Sequence, residues 1–312
     1  MPLQFSPPKE QSRLDAIGPV DQLSGVFRRL LDPKSFSPMG APGPIDWLAN
    51  QQESGQTYRE FIRSHPNFPD DKRKVIYLQP LDDFSGHPSK SESHVSDASK
   101  GAATSKDGPP LPRLKEFTEA FFALPVRVLP VVHLKGIQNR VNPSTGKIQL
   151  LTGDILGALV KMLPADAYCI LGITLRDLYP GPQWNYVFGQ GTLKERVGVY
   201  SFARYDPDFY GQTAPNRASL ILRRSCKVLA HETGHIMGVQ HCIYYRCMMN
   251  GSNHLDEFDN CPMHLCPVDL RKLYVSVGFD PVARYAHLRD FYKEVGFTED
   301  ANWIQQQLNH LT

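Results

Sequence analysis

The chain predicts a mixed fold of the α+β or α/β class: a twisted mixed sheet with one long helix, plus helical extensions at the N- and C-terminal ends. Three observations point there. From residue 74 onward, helix-spaced and strand-like segments alternate rather than segregate. Residues 167–174 (AYCILGIT) are apolar almost without a break, the pattern of a strand covered on both faces. Leu222, Cys226, Leu229, Thr233 and Ile236 recur at i, i+4, i+7, i+11 and i+14, one mostly apolar stripe down a helix.

Taken in order, residues 1–73 are proline-rich and read as an N-terminal extension, with short helical patterns over 20–31 and 57–63. Residues 74–79 (KVIYLQ) read as a first strand. The Ser, Lys and Gly-rich stretch that follows, 85–110, is expected to be a disordered loop. A helix is predicted over 111–124, and a buried strand over 126–133 that Pro130 demotes toward an edge. Residues 148–151 make a short strand and 153–163 a helix. Two further strands, 184–190 and 197–205, are joined by a short turn and expected to pair as a hairpin. Helical spacing returns over 270–277 and 282–295, with Pro281 placed at a helix start, and 302–311 adds a last short helix.

Composition is that of an ordinary folded enzyme-sized chain: 312 residues, 41% hydrophobic, formal charge +2. So balanced a charge gives no support for nucleic-acid or membrane-surface binding. The first residues lack a basic stretch followed by an apolar core, and no 18-residue apolar run occurs, so the expected location is intracellular, cytoplasmic and/or nuclear. Oligomeric state cannot be read from the sequence. Six cysteines, four of them between residues 242 and 266, suit metal binding better than a disulfide framework, although a bridge such as Cys242 to Cys266 is the alternative. Cys226, on the apolar stripe, and Cys169, in an apolar run, read as small buried hydrophobes.

The chemistry is concentrated in residues 231–241 (HETGHIMGVQH). On a helix His231 and His235 stand one turn apart on one face, so both rings converge on one metal ion without bending the backbone. Gly238 can take a left-handed conformation that ends the helix and swings His241 back as a third ligand. Three protein ligands leave a fourth position open for water, the mark of a catalytic rather than a structural zinc. Glu232 does not coordinate; it is placed to take the proton of that water as it attacks a peptide carbonyl, and to pass it to the departing amine. Two helical histidines that merely cover a surface would show the same i, i+4 spacing, but that reading has no use for Gly238 and His241.

His241 is followed at once by Cys242, then by Cys247, Met249 and the run Cys266-Pro267-Val268-Asp269. With residues 166–180 (DAYCILGITLRDLYP), 184–190 (WNYVFGQ), 197–205 (VGVYSFARY) and 251–255 (GSNHL), this pattern resembles the archaemetzincins, a branch of the metzincin zinc proteases, over most of residues 74–290. The resemblance implies a metzincin-type zincin fold with a catalytic domain over 74–281 and a C-terminal helical extension over 282–312. It implies a catalytic zinc on His231, His235 and His241, Glu232 as general base, and Met249, next to Met248, in a turn beneath the metal. It also implies a second, structural zinc in a cysteine-rich knuckle over 242–269, hence two Zn2+ per chain, and a peptide or protein substrate. The strand 184–190 would then form the upper rim of the cleft, where an extended substrate adds to a sheet edge.

The chain departs from the family at one knuckle position. Cys242, Cys247 and Cys266 match, but Asp269 stands where a fourth cysteine is expected. Either Asp269 or Cys261 completes the set, or Asp269 caps the N-terminus of the helix that follows; His264 is an outside candidate. A second functional reading stays open beside the protease: a zinc-binding interaction module with little turnover. Glu232 separates the two, since a scaffold has no need of a general base. No cysteine precedes Cys169, so the N-terminal segment cannot silence the centre through a thiolate, and inhibition by one of its carboxylates has no specific support.

Overall fold

The structure is a computed structural model and describes residues 5–81, 84 and 108–311; the loop expected at 85–110 lies outside these apart from its last three residues. Helices α1 (Glu10–Ile17), α2 (Gly25–Leu30), α3 (Trp47–Asn50) and α4 (Tyr58–Arg63) come first. There follow β1 (Val75–Pro80), α5 (Leu111–Phe122), β2 (Val126–Val128), β3 (Asn139–Val141), β4 (Ile148–Leu151), α6 (Thr152–Met162), β5 (Ala167–Thr174), β6 (Asp177–Tyr179), β7 (Gly189–Thr192), β8 (Val197–Ser201) and α7 (Arg217–Ile236). The chain continues through α8 (Leu255–Asn260), α9 (Pro267–Val277), α10 (Pro281–Glu294) and α11 (Thr298–Asn309). None of the described helices is long and apolar enough to cross a membrane. The chain divides into two compact units, one of Met1–Pro69, Ala120–Ala123 and Thr233–Thr312, the other of Asp70–Glu119 and Leu124–Glu232.

The second of these units carries the sheets. Five strands run in the order β2-β1-β5-β8-β7, parallel except for β7, which pairs antiparallel with β8 at the edge. All eight residues of β5 are buried, so the central strand is covered on both faces, as its unbroken apolar sequence requires. Ile155, Leu156 and Leu159 of α6 join Val75, Tyr77, Ala167, Ile170, Val197 and Val199 in one core. A smaller sheet, β3-β4-β6, stands beside this core.

Two predicted strands are shorter than their sequences suggest. The strand expected over 126–133 ends at Val128; Pro130 has no N–H to give the ladder, and pairing resumes only as a single bridge between Val132 and Leu81. The strand expected over 184–190 is corrected more strongly, since regular pairing starts at Gly189. Asn185 is drawn out of the ladder because its carbonyl accepts from Arg140 Nη2 (3.0 Å), Asn142 Nδ2 (3.0 Å) and Gln149 Nε2 (2.9 Å). Val187 then makes an isolated bridge to Leu178, donating its N–H to the Leu178 carbonyl at 3.1 Å. The expected hairpin does form, but from β7 and β8, and β8 stops at Ser201, whose side chain accepts from Ala203 N and donates to the Arg176 carbonyl.

In the other unit, helices from both ends of the chain pack together. Phe27 of α2 lies 4.0 Å, ring to ring, from Tyr274 of α9. Arg271 of α9 donates to the Ile17 carbonyl at 2.6 Å and lays its guanidinium over Tyr58. The pattern predicted over 57–63 forms α4, held by a reciprocal cap between Thr57 and Glu60. Of the pattern over 20–31 only α2 is helical, while α1 and α3 were not anticipated. Pro281 opens α10 at its first position, and the last helix begins at Thr298 rather than at residue 302.

Inside the sheet-bearing unit, Asp177 is fully buried and receives Arg204 through Nε (2.8 Å) and Nη2 (2.7 Å), with Gln149 Nε2 on the same carboxylate at 2.8 Å. Removing one partner of a buried pair strands the other charge, so Asp177→Ala is expected to cost about 3–5 kcal/mol. Urea unfolding followed by circular dichroism measures this as a lowered midpoint at unchanged slope.

Candidate metal centre and active site

The site is built on the last turns of α7 and the loop after it. The stripe Leu222, Cys226, Leu229, Thr233 and Ile236 is buried, so the opposite face of the helix, which carries His231 and His235, is left to make the site. The helix then closes in a Schellman arrangement around Gly238: Gly238 N donates to the His235 carbonyl (2.9 Å) and Val239 N to the Gly234 carbonyl (3.0 Å). Gly238 itself has φ +88°, the left-handed conformation that reverses the chain. Three residues later His241 arrives beside His235, with ring centroids 4.9 Å apart. One ligand nitrogen from each of His231, His235 and His241 falls within 4.8 Å of the others.

The rings are held from outside. His235 Nδ1 lies 2.7 Å from the Val239 carbonyl of its own closing turn, and His241 Nδ1 lies 2.8 Å from Glu53 Oε1. A hydrogen-bonded Nδ1–H fixes the tautomer in which Nε2 is the ligand nitrogen. Burial lowers the His241 imidazole below its ordinary value and nearby His235 adds to this, against the hydrogen bond it donates to Glu53. A neutral ring is the form that binds a metal, so the donor set fits zinc. Glu232 is half-buried beside the first histidine. Its charge, after burial, helps raise the Tyr200 phenol well above the usual range; Tyr200 Oη is itself buried with no hydrogen-bond partner among the described residues. Met249 lies against the helix at Gly234, where an added Cβ would sit 2.6 Å from its sulfur, and its carbonyl accepts from Cys242 N at 2.8 Å. The backbone N–H of the neighbouring Met248 donates to the His264 carbonyl at 2.9 Å.

A second cluster follows directly. Cys242, Cys247, Cys266 and Asp269 are all buried, with one donor atom each within 4.8 Å of the rest. Cys242 and Cys266 sulfurs are 3.5 Å apart, a contact rather than the roughly 2.05 Å of a disulfide. Asp269 divides its oxygens: Oδ2 lies 3.2 Å from Cys247 Sγ and 3.6 Å from Cys266 Sγ, while Oδ1 accepts from Lys272 Nζ at 2.8 Å. Burial pushes the Asp269 carboxyl up to about 6, with Lys272 opposing. Burial also opposes ionisation of Cys242, yet hydrogen bonds from Cys247 and Cys266 bring its thiol well below the usual range. Three sulfurs and one carboxylate oxygen fit a structural zinc.

The other knuckle candidates stand apart from this cluster. Cys261 is 3.8 Å from Ser252 Oγ and 3.4 Å from the Glu257 carbonyl, outside the four-residue group. His264 is half-buried and stacked on Trp303 at 3.6 Å, and loss of water pushes its imidazole down to about 3. Asp269 does not cap α9, whose N-cap is Cys266. Sequence reasoning missed Trp47, Glu53 and Gln56. Glu53 meets a histidine 188 residues later, and no local spacing signals such a contact.

A helix presenting two imidazoles one turn apart, a third returned by a glycine turn, and a carboxylate next to the first define a zinc metallopeptidase. The profile of Peptidase family M54 matches residues 128–274. Archaemetzincin-2 of Rattus norvegicus is 35% identical over 307 residues, covering 88% of this chain and 81% of that protein. Archaemetzincin-2 of Homo sapiens is 36% identical over 280 residues, 81% of this chain and 73% of that protein. Among solved structures, a zinc-dependent peptidase from Methanocorpusculum labreanum (24% identity, TM-score 0.47) covers 64% of this chain and 99% of its own. The archaemetzincin of Archaeoglobus fulgidus (24% identity, TM-score 0.42) covers the same shares. The chain belongs to the archaemetzincins, peptidase family M54.

Because Gly238 is left-handed, any side chain there is strained: Gly238→Ala is expected to cost about 1–2 kcal/mol. Gly153→Ala, at an open position in α6, supplies the control and is expected to leave stability unchanged or raise it. Thermal unfolding of the two variants beside the parent reads the difference.

Proposed function

We propose that the chain hydrolyses peptide bonds of a peptide or protein substrate, with His231, His235 and His241 holding the catalytic zinc and Glu232 serving as general base. The observation that carries this reading is the convergence of the three imidazoles within 4.8 Å, with Glu232 the residue after the first. A zinc ion held there supplies a Lewis acid that polarises the peptide carbonyl and acidifies water. Glu232 takes the proton from the attacking water and delivers it to the departing amine, so that it ends the cycle ionised as it began. The Nδ1 hydrogen bonds of His235 and His241 keep the rings in one tautomer through that cycle. Met249 gives the centre an apolar floor that does not compete for the metal.

The substrate backbone is served by β7, which is paired with β8 on one side and is the last strand in the sheet order. An extended peptide adds to such an edge through main-chain hydrogen bonds. Val187, whose N–H is already given to Leu178, is not part of that edge.

A second zinc belongs to Cys242, Cys247, Cys266 and Asp269, making two per chain. The support is the direction of Asp269 Oδ2 toward the sulfurs, with Lys272 bracing the other oxygen. Cys261 has no place in this set.

Two measurements test the assignment. Glu232→Gln is expected to lower peptide hydrolysis by about 10²–10⁴-fold while bound zinc is retained; full activity in that variant removes Glu232 from its role. Elemental analysis is expected to find two zinc ions per chain in the parent and in Cys261→Ala, and one in Asp269→Ala. Loss of an ion from Cys261→Ala instead would give the fourth position to the cysteine.

A further inference from the structure

We propose that Glu53 is the positioning residue of the third zinc ligand, and that residues 47–56 brace the loop that carries it. The inference rests on the reading that His231, His235 and His241 hold the catalytic metal. Among the three histidines, His235 has its ring oriented by a carbonyl of its own helix-closing turn. For His241 the orienting group comes from far away: Glu53 Oε1 at 2.8 Å from Nδ1, across 188 residues of sequence.

A carboxylate at Nδ1 accepts the ring proton, holds the Nε2 lone pair toward the metal and strengthens it as a donor. Glu53 is itself fixed, because the same oxygen accepts from Trp47 Nε1 at 2.8 Å. Trp47 stands edge-on to His241, ring centroids 5.1 Å apart, so it limits rotation of the imidazole as well as anchoring its partner. Trp47 is in turn held through its main chain: its backbone N–H donates to both oxygens of Glu257, at 2.9 and 3.1 Å. The ring also lies so close to Gly251 that an added Cβ there would be 2.5 Å from Trp47 Cδ1.

The backbone of the ligand loop is gripped by the same segment. Gln56, buried, donates from Nε2 to the Gly238 carbonyl at 3.1 Å and accepts from Gln240 N at 3.2 Å. One side chain thus clamps both ends of the turn that returns His241. Ring and backbone of one ligand are therefore both set by residues that a cut after the N-terminal segment would take away. The carboxylate meets Nδ1 rather than the nitrogen offered to the metal, so it supports the ligand and does not compete for the ion.

The test uses the whole 312-residue chain, loaded with zinc and titrated against a chromophoric chelator, as the parent and as Glu53→Ala and Glu53→Gln. Glu53→Ala is expected to weaken zinc at the imidazole site by about 10- to 100-fold. Glu53→Gln keeps an acceptor at the same reach and is expected to lose less. In the cobalt-substituted proteins the ligand-field bands of the imidazole site shift in Glu53→Ala, while the thiolate-to-cobalt charge-transfer bands of the cysteine cluster stay where they are. Unchanged zinc affinity in Glu53→Ala overturns the proposal, and so does equal weakening at both sites, which would mark a general loss of structure. If His231→Ala removes no metal ion from the parent, the underlying assignment of the catalytic ligands falls, and this inference with it.

Discussion

The whole centre depends on a reversal of chain direction at Gly238. A helix alone presents two imidazoles one turn apart to one point; its next turn carries the backbone about 5.4 Å onward, away from the metal. Only by breaking the ladder can a third ring come back within 4.8 Å of the first two. The break leaves carbonyls without helical partners, and the Schellman bonds of Gly238 and Val239 take them up within the turn itself. The Val239 carbonyl, just past the end of the helix, then orients His235. Termination of α7 and alignment of a ligand are thus one event.

The loop after the turn is closed by the sulfur cluster. Cys242 follows His241 directly, and Asn250 ties the loop across itself, donating to the carbonyls of Cys242 and Tyr245 (2.9 Å each) and accepting from Cys247 N at 2.8 Å. Three buried sulfurs and a carboxylate are an expensive arrangement without positive charge, since each anionic form is disfavoured by the loss of water. Lys272, as buried as Asp269, offsets one charge. A divalent ion there, as proposed, would offset more and would turn a destabilising cluster into folding free energy. Whatever holds Cys242 and Cys247 in place also holds Met249 and His241, which lie on the same short stretch.

How legible this was depends on sequence distance. The eight buried residues of β5 and the stripe on α7 were read correctly because a single period decides them. The three-histidine pattern was legible for the same reason: its geometry is contained in eleven residues. The strand at 184–190 was not, because its apolar residues do alternate as a strand should, and only the capture of the Asn185 carbonyl by Arg140, Asn142 and Gln149 removes it from the ladder. The short elements α3, β3 and β6, four and three residues long, carry too few positions for any period to register. Asp269 stood between cap and ligand in the sequence since both uses put Asp at the start of a helix; in the structure the N-cap is Cys266 and Oδ2 faces the sulfurs, a position no spacing specifies.

The three histidines proposed as ligands therefore differ in what their alignment costs. His231 and His235 are placed by helix formation, and His235 is oriented by the turn that ends the same helix, so their placement needs only α7 and its closing turn. His241 is placed by a loop and oriented by Glu53, a contact whose closure entropy is met only when residues 47–56 and 238–241 are both ordered. A change that loosens either segment acts on this ligand first. On the proposed assignment, metal affinity at the imidazole centre is linked to the order of the N-terminal segment as well as to the active-site helix, and a proteolytic cut or a bound partner that loosened residues 47–56 would act on that centre through His241 and the closing turn while the motif on α7 stayed formed.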